Sequence, residues 1–160
     1  MIFARTAKEI VACFDPVQIH LHHIGSTAVP GLLAKPIIDM LLVAPALPDL
    51  DRRATDLAAL GFAAKGENGI AGRRYFVRRD ACGMRTHHLH AFADGAQAIA
   101  RHLAFRDCLR ADANLLDEYA SIKRRALGDG SVSRAQYQDR KDAFIARVLA
   151  SRRQKAQRSR

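Results

Sequence analysis

The tightest constraint in this sequence is one acid. Asp39 sits inside Ile37-Ile38-Asp39-Met40-Leu41-Leu42-Val43, a run apolar on both faces, as in a strand covered on two sides. An ionised carboxylate in such a place costs roughly several kcal/mol unless it is paired, hydrogen-bonded or on a metal. Asp39 therefore demands a partner. Within the same stretch, His23 to Val43, Gly25-Ser26 follows an alternating strand and precedes a short helical segment. Backbone N–H groups at such a turn can hold a phosphate. A phosphate cradle followed by a strand-borne carboxylate points to a site for a metal–nucleotide complex. The competing reading is an ordinary tight turn beside a structurally satisfied acid.

At 160 residues the chain reads as a single domain over 1–150, long enough to bury about two-thirds of its unfolded surface. No apolar run reaches the roughly 18–20 residues of a membrane span, and the N-terminus lacks a signal-peptide pattern. Cys13, Cys82 and Cys108 are odd in number and far apart, so no disulfide framework is expected and the chain reads as cytoplasmic. The formal charge is +10, and residues 151–160 carry five basic residues and no acid. That segment reads as a disordered basic tail, whose salt-sensitive contacts would give weak RNA binding at most.

Periodicity places the elements. A helix is expected over 5–14, and Val17 to Ile24 alternates as a strand that delivers the Gly25-Ser26 turn. After the Asp39 strand, a helix runs from Asp49 to about Leu60, closed by Gly61. A short strand follows at 62–65, and the glycine-rich GENGIAG segment makes a loop suited to an entrance or lid. A hairpin then pairs 73–79 with 86–92, placing His88, His90 and Phe92 on one face and His87, Leu89 and Ala91 on the other. From there the pattern is helical: 94–110 with Asp94 and Gln97 as a capping box, 113–127 stopped by Gly128, and a last helix opened by Ser133 with Gln136.

Two histidines at i and i+2 on a strand face suit a divalent metal, since neutral imidazole is a ligand. The bland alternative is a polar sheet face. His20, His22 and His23 form a second cluster before the turn, and the two together make a zinc hydrolase a lesser candidate. Arg73 or Arg74 could make a bidentate phosphate contact. Arg74 is favoured because it shares parity with Phe76 and Arg78. Tyr119 and Lys123, four apart on one helix, could reach one ligand together, as could Arg106 and Arg110.

The string HIGSTAVPGLLAKPIID closely resembles the signature of the GrpB family, a group related in fold to the nucleotidyltransferases. The resemblance extends through His88-Leu89-His90, Phe105-Arg106-Asp107, Leu109-Arg110, Tyr119 and Lys123 to the segment ending near Leu149. It implies an α/β (α+β) fold: a nucleotidyltransferase-like mixed sheet flanked by helices, with a helical C-terminal part. It also implies a small anionic ligand, a nucleoside triphosphate first, held by Gly25, Ser26 and Thr27. Asp39 with His88 or His90 would hold one divalent ion, magnesium before zinc or manganese. Lys35, Arg74, Arg106, Tyr119 and Lys123 would line the ligand.

Position 41 is leucine, where the superfamily carries its second metal-binding acid. The resemblance thus leans towards a transferase with a degenerate metal site. Its rival is a non-catalytic accessory domain, because GrpB-like domains also occur joined to dephospho-coenzyme A kinases.

Overall fold

The computed structural model describes residues 2–127 and 133–158. Five strands form a mixed sheet: β1 (His20–Ile24), β2 (Ile38–Ala44), β3 (Phe62–Ala64), β4 (Arg74–Arg79) and β5 (Arg85–Ala93). Their spatial order is β1-β2-β5-β4-β3. β2 and β5 are parallel and every other pair is antiparallel. The six helices are α1 (Ile2–Phe14), α2 (Leu47–Arg52), α3 (Ala54–Ala59), α4 (Gln97–Ala111), α5 (Ala113–Leu127) and α6 (Arg134–Arg158).

Contacts group the chain into two compact units, residues 1–28 with 34–102, and residues 29–33 with 103–160. In the first, one sheet face buries Met40, Leu42, Phe76, Leu89 and Ala91 against Ile10 and Phe14 of α1, Leu50 of α2 and Leu57 of α3. Each of these strands sends alternate residues to that face, as the two-residue pleat requires. In the second unit, Val29 and Leu32 pack with Leu109, Tyr119, Ala120, Phe144 and Val148. Tyr119 stacks on Phe144 with ring centroids 5.3 Å apart.

Most expected elements stand where periodicity put them, with instructive differences. The helix expected over 49–60 is two short helices joined at Arg53. Asp94 does not cap α4: its Oδ1 accepts from Gly95 N–H at 2.8 Å, and the helix starts three residues later. The box at Ser133 forms in both directions. Gln136 N–H donates to Ser133 Oγ at 3.2 Å and Ser133 N–H to Gln136 Oε1 at 2.9 Å. The expected stop at Gly128 lies outside the described residues. The tail read as disordered continues α6 through Arg158, since Arg, Gln, Lys and Ala all favour helix and no Gly or Pro interrupts them. No helix among the described residues is long and apolar enough to cross a membrane.

Candidate functional site

Parallel pairing of β2 with β5 sets Asp39 beside His88 and Leu41 beside His90. The next strand sets Val77 beside His88 and Tyr75 beside His90. All of these occupy the sheet face opposite the helix-packed core. Asp39 therefore finds its partner 49 residues away: His88 Nδ1 lies 3.0 Å from Asp39 Oδ1. His90 Nε2 lies 3.9 Å from the same oxygen. Burial alone would raise the Asp39 carboxyl. The hydrogen bond from His88, with the His90 imidazole close by, outweighs it and holds the group down at about 2, so Asp39 is ionised at neutral pH.

A second layer surrounds the pair. Arg73 is 5% exposed. Its Nη1 faces His90 Nδ1 at 3.3 Å, Nη2 donates to Asn68 O at 2.7 Å, and Nε donates to Glu67 O at 3.1 Å. It also lies over the Tyr75 ring at 4.8 Å. Arg73 thereby ties the glycine-rich loop to the histidine face. Tyr75 packs against His90 and His88, with centroids 5.1 and 5.8 Å away, and burial raises its phenol. His102, in the first turns of α4, packs 5.4 Å from His90 and 6.3 Å from Phe92. Burial, then the neighbouring His90, lowers its imidazole to about 4.

The Gly25 turn meets this cluster directly. Gly25 has φ +69°, and a Cβ built there would overlap Asp39 Oδ2 and lie 2.8 Å from Asp39 Cβ and Cγ. Ser26–Ala28 form a single 3-10 turn rather than a helix, so no macrodipole stands behind it. Thr27 braces the turn: its hydroxyl donates to Ile37 O at 3.2 Å and lies 3.0 Å from His23 Nε2. His23 points to the core face, stacked on Phe3 at 4.9 Å.

The other expected ligand residues have surroundings of their own. Arg74 is on the opposite face, as the parity it shares with Phe76 requires. It pairs with Asp51 through Nε and Nη2 at 2.6 and 3.0 Å. Lys35 is exposed on the segment leading to β2. Arg106, Tyr119 and Lys123 belong to the second unit. There Arg106 pairs with Asp107 at 2.7 Å, Tyr119 is core, and Lys123 donates to Leu33 O at 2.8 Å. Asp39, His88, His90 and the Gly25 turn come together; Arg74 does not join them. Arg73, Tyr75 and His102 join instead. Parity already separated Arg73 and Tyr75 from Arg74, whereas His102 carried no sequence signal because its place depends on how α4 packs.

Arg73 and Arg74 make a clean comparison. Arg73→Ala should cost about 2 kcal/mol in urea unfolding, because three hydrogen bonds from a buried cation disappear. Arg74→Ala should cost within about 1 kcal/mol, as a partly exposed ion pair does. Equal costs would remove Arg73 from its tethering role.

Asp39, expected to hold a divalent ion together with His88 or His90, stands within reach of both. No group of three or more His, Cys, Asp or Glu among the described residues is arranged to hold a metal. The hydrogen bonds give the reason. An arginine only donates, so His90 Nδ1 is the acceptor and its proton sits on Nε2, leaving that nitrogen no lone pair for a metal. His88 spends Nδ1–H on Asp39 Oδ1, which leaves its buried Nε2 with a lone pair and no hydrogen-bond partner among the described residues. On Asp39 itself, Oδ2, beside Gly25, remains. One carboxylate oxygen, on a side chain 27% exposed, fits magnesium carried by phosphates, which needs few protein ligands. It does not fit a zinc hydrolase centre.

The class these features define is an α/β protein with a mixed five-stranded sheet and an acid–histidine cluster on the sheet face opposite the helix-packed core. The family model described as "GrpB protein" matches residues 1–151, and the chain belongs to the GrpB family. It is 43% identical over 143 residues to UPF0157 protein YqkA of Bacillus subtilis (strain 168), covering 89% of this chain and 41% of that protein. It thus spans about two-fifths of that relative's length. The crystal structure of conserved protein GrpB from Enterococcus faecalis is 34% identical, with a TM-score of 0.83 over 94% of this chain and 89% of that one. A more distant likeness, 18% identical with a TM-score of 0.46, is to the Cid1 poly(U) polymerase, over 71% of this chain and 36% of that one.

Proposed function

We propose that this protein binds a nucleotide, or another phosphorylated ligand, together with a divalent ion where Asp39 meets the Gly25-Ser26 turn. One observation carries this reading: an ionised carboxylate is pressed against the glycine of a turn that leaves no room for a side chain. An anionic phosphate brought there alone would be repelled by Asp39. Accompanied by a cation, it would be attracted. Asp39 Oδ2 would hold the ion, which when bound would neutralise phosphate charge. His88 and His90 keep Asp39 ionised and oriented, and Arg73 with Tyr75 fixes His90.

The resemblance to nucleotidyltransferases favours group transfer from such a ligand, for which positioning and charge neutralisation are the main requirements. Leu41 favours a second reading, binding without chemistry. It is fully buried and occupies the strand position where a second acid would sit, so one anchor of a metal pair is missing.

Calorimetric titration with ATP, GTP and CTP, with and without magnesium, tests the site. Magnesium-dependent binding of at least one, weakened at least about tenfold in Asp39→Asn, is the expected result. Binding that ignores both magnesium and Asp39 would move the ligand away from this turn. Binding with no turnover across an acceptor screen would select the accessory-domain reading.

A further inference from the structure

The second unit is charged differently from the first. Residues 29–33 and 103–160 hold fourteen Lys and Arg against seven Asp and Glu, whereas the first unit holds twelve against nine. The excess is not spread evenly over a solvated surface. Within this unit α5 and α6 enclose a cleft of about 520 Å³. α5 lines it with Glu118, Ser121, Ile122 and Arg125; α6 contributes Arg140, Ala143, Phe144 and Arg147. Both sets follow the i, i+3, i+4, i+7 spacing of one helix face. The apolar members make a floor and the arginines make a rim.

The rim has charge to offer. Arg147 is bonded to Glu118 at 2.5 Å and lies 5.1 Å over the Phe144 ring. Arg125 and Arg140 are exposed and have no carboxylate partner among the described residues. The face does not end with the cleft, because α6 is continuous to Arg158. That residue lies eleven positions beyond Arg147, three helical turns, and therefore on the same side. A row of arginines beside a narrow apolar floor matches a row of phosphates attached to flat, partly apolar bases. It suits one strand, whose unpaired bases can reach the apolar floor between the phosphate contacts.

We infer that the α5–α6 cleft is a docking surface for single-stranded nucleic acid, with Arg125, Arg140 and Arg147 on successive phosphates and the strand continuing along α6. This stands independently of the Asp39 site. It also differs from binding by a disordered tail, since the contacts begin on the folded helix pair.

Fluorescence anisotropy of a labelled 12-nucleotide oligo(U) with the full chain tests it. The three phosphate contacts of the cleft alone give a log–log salt slope of about −2, so affinity should fall at least about 20-fold between 50 and 200 mM salt. Arg125→Glu with Arg140→Glu should weaken binding at least about tenfold and make the slope shallower by about 1.4, with circular dichroism unchanged. If that pair does not fold, Arg140→Ala alone should still reduce the slope by about 0.7. Several results would overturn the inference: no binding at 50 mM salt; a duplex or polyglutamate bound as tightly as oligo(U); or binding lost on deleting 151–160 but indifferent to Arg125 and Arg140. The last would return the contact to the tail, and polyglutamate would point to an acidic protein instead.

Discussion

Gly25→Ala should destabilise the protein by about 3–4 kcal/mol, lowering its melting temperature by about 10 °C. Two effects add. Alanine at φ +69° costs about 1 kcal/mol or slightly more, because the left-handed region crowds Cβ. The larger effect is the collision with Asp39. A new Cβ would meet not only the mobile Oδ2 but also Asp39 Cβ and Cγ at 2.8 Å, so turning the carboxylate is not enough. Either the turn or β2 has to move, and the Asp39–His88 hydrogen bond is stretched or lost. A hydrogen bond to a charged group contributes about 1.5–3 kcal/mol. Gly83→Ala is the control: its φ is +79° and nothing lies within 4 Å of the added methyl, so it isolates the backbone cost at about 1 kcal/mol. Urea unfolding of both variants decides the matter. Similar losses would mean that Gly25 serves only its turn, and the close approach to Asp39 would have no energetic meaning.

That approach also marks how far the sequence could be read. A lone acid in an apolar strand requires a partner, and the requirement was plain in Ile37 to Val43. The partner's identity was not, because β2 meets β5 through a parallel pairing 49 residues apart, and no local pattern encodes such a register. The alternation within Thr86 to Phe92 was legible and placed His88 and His90 on one face, since a strand's faces follow from the pleat alone.

Arg74 shares parity with Phe76, and a buried phenylalanine marks the face that the helices cover. The same parity therefore sends Arg74 to that face, where Asp51 takes it. Arg73, one residue before β4 begins, turns the other way. For a metal held by Asp39 with His88 or His90 the limit is different. Spacing shows which side chains can meet, while the lone pairs left for a metal depend on hydrogen bonds made by neighbours such as Arg73.

The cluster that anchors Asp39 should also make this protein acid-sensitive in two separable windows. His102 is lowered to about 4 from an ordinary 6.5, by burial first and by His90 next. Between those values the unfolded chain takes up a proton that the folded chain refuses, so stability falls as pH falls. The contribution is complete above about pH 6.5 and is lost by about pH 4, on the order of 3 kcal/mol. Asp39 acts lower. Its folded value of about 2 lies below the ordinary 3.8, so its contribution is present above about pH 3.8. It is lost as pH falls through 2, at about 2 kcal/mol.

His87, lowered mainly by burial on the other sheet face, adds to the slope in the upper window. A variant is therefore needed to isolate His102. In His102→Gln the fall in urea-unfolding free energy between pH 6.5 and 4 should shrink by most of that 3 kcal/mol, whatever packing it loses uniformly across pH. An unchanged slope would show that His102 accepts its proton without cost in the folded state. The consequence reaches the proposed site. His90, Asp39, Arg73 and Arg101 all influence His102. A neutral His102 leaves Arg73 as the fixed cation behind His90, and so leaves the ionised Asp39 as the group that an incoming cation meets.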